Sequence, residues 1–170
     1  MAPSLELDLA WLEAAFHRLS LQLHPDCFPD ADFNTRLRLL DKTAQLNEAY
    51  ATLSKPERRA VYVLKTLGVD LEDKQQAPPA PAAFLGRLLE LQEALREAST
   101  ARHTETLCRL ESLAKQALRT ELEAACCLLR DCLLRCEKEK LRQAATHLVC
   151  MRYWQRFLAD AECFQEECFS

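Results

Sequence analysis

Two groups of side chains in this 170-residue chain could carry chemistry, one histidine and a set of nine cysteines. The histidine stands in the tripeptide His24, Pro25, Asp26, at the end of an amphipathic stretch. In ordinary loop chemistry, Pro25 would end a helix and Asp26 would make a turn. No nucleophile and base are arranged around His24 for covalent chemistry, so we predict that the chain is not an enzyme.

The cysteines are odd in number and follow no signal-like segment, which favours reduced thiols over disulfides. Cys132 and Cys136 are four residues apart and could share one helix face. A closed zinc or cluster site needs about four ligands, however, and the chain has no CxxC pair. We therefore predict structural thiols, with no metal and no cofactor, and keep a thiol-dependent metal or cluster carrier as an alternative.

The composition excludes several classes of protein. With 49% hydrophobic and 28% charged residues the chain can bury a core, and only two glycines argue against tight hairpins and phosphate-binding loops. The net charge of -4 provides no general attraction to nucleic acid or to anionic lipid. No apolar run approaches the roughly 18 residues of a membrane span. We expect an all-α, cytoplasmic protein with neither a nucleic-acid nor a membrane partner.

The first part of the chain predicts helices that form a hairpin. Apolar residues recur at helical spacing over 8–24 and 34–53, and the short loop between these stretches favours antiparallel packing. A further helix begins near Pro56 and ends at Gly68. This part is expected to form one domain over residues 1–70.

The second part predicts a bundle. Residues 71–82 contain three prolines and are expected to form a semi-rigid linker. Helical patterns then cover about 82–98, about 100–136 and the stretch that follows 137–140. Three helices close naturally as a three-helix bundle over 83–170.

A histidine–proline–aspartate tripeptide in the loop of a helical hairpin resembles the J domain. Three further stretches agree with that family in order and distance, namely 45–53 (QLNEAYATL), 55–59 (KPERR) and 61–64. The resemblance implies binding to a DnaK-type heat-shock chaperone and stimulation of its ATPase. The residues implicated in chaperone binding are His24, Pro25, Asp26 and Arg18.

A J domain followed by a proline-rich linker and a helical bundle resembles the HscB family of iron–sulfur co-chaperones. The bundle opens with Phe84–Leu85 and continues with Leu88–Leu89–Glu90–Leu91. The family implies two partners, a DnaK/HscA-type chaperone and an IscU-type iron–sulfur scaffold. The scaffold surface of the family matches Leu85, Leu89, Glu90, Glu93 and Tyr153.

Helical geometry supports that scaffold surface independently. Leu85 and Leu89 are offset by about 100° from the core stripe of Leu88 and Leu95, so they form a second apolar strip. The alternative is that this strip packs under the J domain.

The chain departs from the J-domain pattern at the residues around the tripeptide. Leu21 and Cys27 occupy positions where J domains commonly carry basic residues, and the short first helix of the family is missing. Gly86 stands where a large apolar residue would strengthen the scaffold surface. A J-domain co-chaperone for another client therefore remains an alternative to the iron–sulfur role.

Overall fold

The computed structural model describes residues 5–24, 27–29, 32–135 and 137–169, with side chains through residue 165. Within these ranges the chain is helical and contains no strand, which confirms the all-α prediction. The helices are α1 (Leu9–Leu23), α2 (Phe33–Ser54), α3 (Pro56–Thr66), α4 (Ala82–Thr100), α5 (Thr104–Leu134) and α6 (Lys138–Phe169). The chain divides into two compact units, Met1–Val63 and Leu64–Ser170. None of the helices described is long and apolar enough to cross a membrane.

Aspartate caps start both helices of the first unit. The Asp8 side chain accepts hydrogen bonds from the backbone N–H groups of Ala10 and Trp11, at 2.9 and 3.1 Å. Asp32 accepts a bond of 2.7 Å from the Thr35 N–H, and its contacts with Thr35 lower the pKa of the Asp32 carboxyl. The starts of α1 and α2 are therefore fixed by local side-chain chemistry.

The two helices pack as the predicted antiparallel hairpin. Phe16 in the middle of α1 stacks on Tyr50 near the end of α2, with ring centroids 4.2 Å apart. Leu23 at the end of α1 shares a groove with Leu39, nearer the start of α2. Later residues of α1 thus meet earlier residues of α2.

The hairpin buries fewer side chains than its sequence pattern predicts. The expected stripe on α2 is half-buried, and no residue of that helix is fully buried. On α1 only Leu12 is fully buried. The physical reason is that, in a two-helix hairpin, each helix is covered by its partner on one side only. Large apolar side chains remain exposed on both helices and in the loop between them, namely Leu9, Trp11, Leu19, Leu21, Phe28, Phe33, Leu37 and Leu40.

A buried arginine links the segments of the first unit. Arg59 on α3 is only 8% exposed. Its Nε donates a hydrogen bond of 3.0 Å to the Leu5 carbonyl, and its Nη1 donates to the Leu53 carbonyl at the end of α2. Both acceptors are backbone groups, so this one side chain holds α3 against the segments before α1 and at the end of α2. The described residues before α1 contain no helix.

The second unit contains the predicted three-helix bundle. Helices α5 and α6 run antiparallel, because bonded pairs step in opposite directions along them: Asp131 with Lys140, Glu121 with His147, and Glu111 with Gln165. Helix α4 packs on both of them. The core residues are Leu88, Leu95, Ala98, Leu107, Leu110, Ala114, Trp154, Phe157 and Ala161.

The segment between α3 and α4 is tied to the second unit. Gly68 has a φ of 96°, a conformation that favours glycine, and it ends the helical turn after α3. Beyond it, the Leu71 side chain is buried, and the Leu71 carbonyl accepts a hydrogen bond of 3.3 Å from Arg152 on α6. The domain limits at residues 70 and 83 remain a prediction.

Candidate functional site

His24 occupies the C-cap position of α1, where its side chain is exposed. Its backbone is extended, with a φ of -62° and a ψ of 134°, as expected for a residue that precedes proline. The His24 N–H donates to the Leu21 carbonyl at 3.3 Å, and the His24 carbonyl accepts from the Cys27 N–H at 3.0 Å. Pro25 and Asp26 lie outside the described residues, so the chaperone-binding role of the tripeptide stays a prediction.

The surroundings of His24 are apolar rather than basic. Arg18 is exposed on α1, six residues before His24. Leu21 is 70% exposed, and the exposed Cys27 places its Sγ 3.3 Å from the Leu21 carbonyl oxygen. Neither position offers a positive charge to a partner.

A groove of about 470 Å³ lies beside this loop and was not predicted from the sequence. Its lining is mostly apolar and includes Phe28 and Leu40, both of which are exposed. Arg36 lines the same groove and donates a hydrogen bond of 3.2 Å to the Pro29 carbonyl, which joins α2 to the loop. The sequence feature that could have indicated this groove is the number of apolar residues in the loop and at the start of α2.

The strip predicted to bind the scaffold is exposed on α4. Leu85 is 38% and Leu89 is 58% exposed, whereas the core positions Leu88 and Leu95 are 5% and 1% exposed. The helical offset therefore separates the strip from the core as the sequence predicts. Leu85 and Leu89 are one turn apart, so their side chains share one face of the helix.

Acidic and aromatic residues flank this strip. Glu90 and Glu93 are exposed on α4. Tyr153 is 39% exposed on α6, and its ring meets that of Phe84 edge-on with centroids 6.0 Å apart. Phe84 also contacts the Trp154 ring edge-on at 5.8 Å, so the core holds the aromatic pair in place. The bundle thus places Tyr153 against Phe84, the residue that precedes Leu85 in the sequence. The binding role of these residues remains a prediction.

Gly86 lies in the first turns of α4 with an exposed backbone, and a Cβ added there would meet no atom within 4 Å. Because glycine is less favourable than alanine inside a helix, Gly86→Ala should raise the free energy of unfolding by about 1 kcal/mol. Urea denaturation of the purified protein measures this change. Gly68→Ala is the matched control, because the left-handed φ of Gly68 should make the same substitution destabilising. An unchanged or lowered stability in Gly86→Ala would contradict the prediction.

Two of the described cysteines have the burial of structural thiols, whereas Cys27, Cys108, Cys127 and Cys163 are exposed. Cys132 and Cys150 are buried, at 2% and 4% exposure, and burial together with the charge of Glu121 raises the pKa of the Cys150 thiol to about 11. A raised pKa disfavours the thiolate that metals bind. Among the residues described, no group of three or more histidine, cysteine or acidic side chains is placed to hold a metal ion. Cys136, which the spacing could place on the same helix face as Cys132, lies outside the described residues.

Comparison with known proteins connects these features to one family. The family model of the HSCB C-terminal oligomerisation domain matches residues 80–162. A co-chaperone protein HscB homolog from Cupriavidus taiwanensis is 39% identical over 110 residues, which cover 65% of this chain and 60% of that relative, less than two thirds of its length. The corresponding homolog from Burkholderia multivorans is 33% identical over 137 residues, covering 81% of this chain and 78% of the relative.

Solved structures agree with these matches. Chaperone HscB from Vibrio cholerae superposes with a TM-score of 0.79 at 25% identity, covering 97% of this chain and 93% of that structure. Human co-chaperone protein HscB shares the fold, with a TM-score of 0.78 at 22% identity and coverage of 95% and 76%.

Proposed function

Because this chain belongs to the HscB family of co-chaperones, we propose that it stimulates the ATPase of a DnaK/HscA-type chaperone and delivers an IscU-type scaffold to it. The observation that carries the proposal is the exposed strip of Leu85 and Leu89 beside Tyr153, because side chains of this kind remain exposed at binding surfaces. The loop at His24 belongs to the other compact unit, so the two proposed binding surfaces lie on different units of the chain.

At the chaperone, the loop after α1 acts by contact. ATP is bound and cleaved by the chaperone, and this chain carries out no covalent step. A ligand that binds the hydrolysis-competent state better than the resting state raises the population of the former. His24, Pro25, Asp26 and Arg18 are the residues proposed to make this contact. The exposed position of His24 at the end of α1 leaves its ring accessible to such a partner.

At the scaffold, the strip on α4 supplies apolar contact, and the residues that flank it orient the bound partner. Full burial of a leucine side chain contributes roughly 1.5 to 3 kcal/mol, and association costs several kcal/mol. Two half-exposed leucines and a tyrosine therefore fit a transient, micromolar contact. Glu90 and Glu93 would favour a partner surface that carries positive charge.

One chain that holds both partners brings the scaffold to the chaperone at high effective concentration. The outcome is a chaperone that closes on the scaffold as ATP is cleaved. The cytoplasmic location expected from the sequence is part of this proposal.

The proposal is tested by direct binding and by ATPase stimulation. Titration calorimetry with an IscU-type scaffold should give a one-to-one complex, and single-turnover hydrolysis by the DnaK/HscA-type chaperone should speed up on addition of the chain. Stimulation without scaffold binding would instead identify a J-domain co-chaperone for another client. If a folded protein neither binds the scaffold nor stimulates the ATPase, the proposal is wrong.

The apolar surroundings of His24 should limit the rate at which the chaperone binds. Leu21→Arg adds a positive charge at a side chain that is 70% exposed, so the change removes little packing. We expect this variant, and likewise Cys27→Lys, to raise chaperone affinity several-fold at low salt, mainly through faster association. Surface plasmon resonance at two ionic strengths measures the effect.

Leu21→Gln is the control for lost apolar surface without added charge. Unchanged affinity of the charged variants at low salt would remove the electrostatic explanation.

A further inference from the structure

A second groove, of about 370 Å³, lies at the N-terminal end of α6 within the second unit. One wall is formed by the loop that follows α3, and the other by the first two turns of α6. Its apolar lining comprises Leu67, Val69, Pro78, Leu141 and Ala145. Neither the chaperone loop nor the scaffold strip includes any of these residues.

The loop wall of the groove is fixed by its own hydrogen bonds. The Gln76 side chain donates to the Asp73 carboxylate at 2.8 Å and accepts from the Asp70 N–H at 3.0 Å. The Gln76 and Ala77 N–H groups both donate to the Asp73 carbonyl, at 3.0 and 2.9 Å. Together with the bond from Arg152 to the Leu71 carbonyl, this network orders the wall before any ligand arrives. A preformed wall lowers the entropic cost of binding.

The helix wall of the groove carries two cations. Lys138 and Arg142 line it, both are exposed, and they are one helical turn apart on the same face of α6. Within the described part of the chain, neither side chain has a hydrogen-bond or ion-pair partner. Lys140 on the neighbouring face differs, because its Nζ lies 3.2 Å from the Asp131 carboxylate and 3.4 Å from that of Glu137.

The groove thus combines an apolar floor with two cations that make no ion pair within the described residues, although the whole chain has a net charge of -4. The Asp73 carboxylate on the loop wall is hydrogen-bonded by Gln76. The amino-terminal end of α6, where Lys138 lies, adds the positive end of a helix dipole. An occupant with an apolar side chain between carboxylates would match both features.

We propose that this groove binds a short acidic segment of a partner protein, with one large apolar side chain seated between Val69 and Leu141 and its carboxylates paired with Lys138 and Arg142. The segment belongs to a partner other than the scaffold, because the proposed scaffold strip has the opposite sign, with Glu90 and Glu93 at its edge. Along α6, Arg142 and Tyr153 are also 11 residues, or about 16 Å, apart. A protein bound here could therefore be held together with the scaffold.

Fluorescence anisotropy with labelled peptides tests the proposal. The probe is a short peptide of alternating aspartate and leucine, and the comparison is a peptide of the same length that alternates lysine and leucine. We expect saturable binding of the acidic peptide only, at micromolar to millimolar concentration, with affinity that falls as salt is raised. Arg142→Glu should weaken this binding at least fivefold.

Arg156→Glu is the matched control, because it makes the same change of charge at an exposed position of the same helix. It should leave the peptide affinity unchanged. Amide chemical shifts in the nuclear magnetic resonance spectrum should move at 67–78 and 138–145. Equal binding of both peptides, unchanged binding in Arg142→Glu, no saturable binding, or binding only to vesicles of anionic lipid would each overturn the proposal.

Discussion

Replacing His24 with glutamine should abolish the stimulation of the chaperone ATPase, lowering it by at least tenfold under single-turnover conditions. The loss of a contact in which one member is charged costs roughly 1.5 to 3 kcal/mol, and each 1.4 kcal/mol is a factor of about ten. The loop itself should keep its shape, because the bonds to the Leu21 carbonyl and from the Cys27 N–H use the backbone of residue 24. The side chain of His24 is exposed.

His17→Gln is the control on the same helix. His17 is exposed on α1, and its Nε2 lies 3.8 Å from the Glu13 carboxylate. The control should stimulate as well as the unaltered protein, and circular dichroism should show equal helix content in both variants. Full stimulation by a folded His24→Gln variant would contradict the role assigned to the loop.

Replacing both Leu85 and Leu89 with alanine should weaken scaffold binding by about 10- to 100-fold. The two side chains are 38% and 58% exposed, so a partner can still desolvate about half of each. The two exposed fractions add up to about one leucine side chain, which corresponds to roughly 1.5 to 3 kcal/mol on burial. Titration calorimetry with the scaffold measures the loss.

The matched control is Leu134→Ala at the end of α5, where the leucine is 86% exposed and lies outside the strip. It should bind the scaffold as the unaltered protein does. Thermal unfolding should confirm that all variants are folded. Scaffold affinity within twofold of the original in the double variant would show that the strip is not the binding surface.

The sequence predicted the helices well because their ends depend on local chemistry. Asp8 caps α1, and Gly68 stops the chain after α3 in a conformation that favours glycine. The proposed scaffold strip could also be predicted from the sequence, since the offset of Leu85 from Leu88 follows from helical geometry alone. These features need only residues that are close in sequence.

Features that depend on distant residues could not be predicted. The composition of 71–82 indicates a linker, yet the structure buries Leu71 and bonds its carbonyl to Arg152, 81 positions along the chain. The groove that carries Lys138 likewise exists only because the loop after α3 meets the start of α6. The weak burial of α2 depends on how many helices cover it, and the spacing of its apolar residues does not reveal that number.

The central claim is that one chain must carry both surfaces, and a mixing experiment tests it most directly. Single-turnover ATP hydrolysis by the chaperone is measured with and without the scaffold. The samples are the unaltered protein, His24→Gln, the Leu85→Ala and Leu89→Ala double variant, and an equimolar mixture of the two variants. The unaltered protein should give more stimulation with scaffold than without it. The double variant should keep the stimulation seen without scaffold, and the mixture should do no better than the double variant alone. Full scaffold-dependent stimulation by the mixture would contradict the account, because the two surfaces would then not need to share a chain.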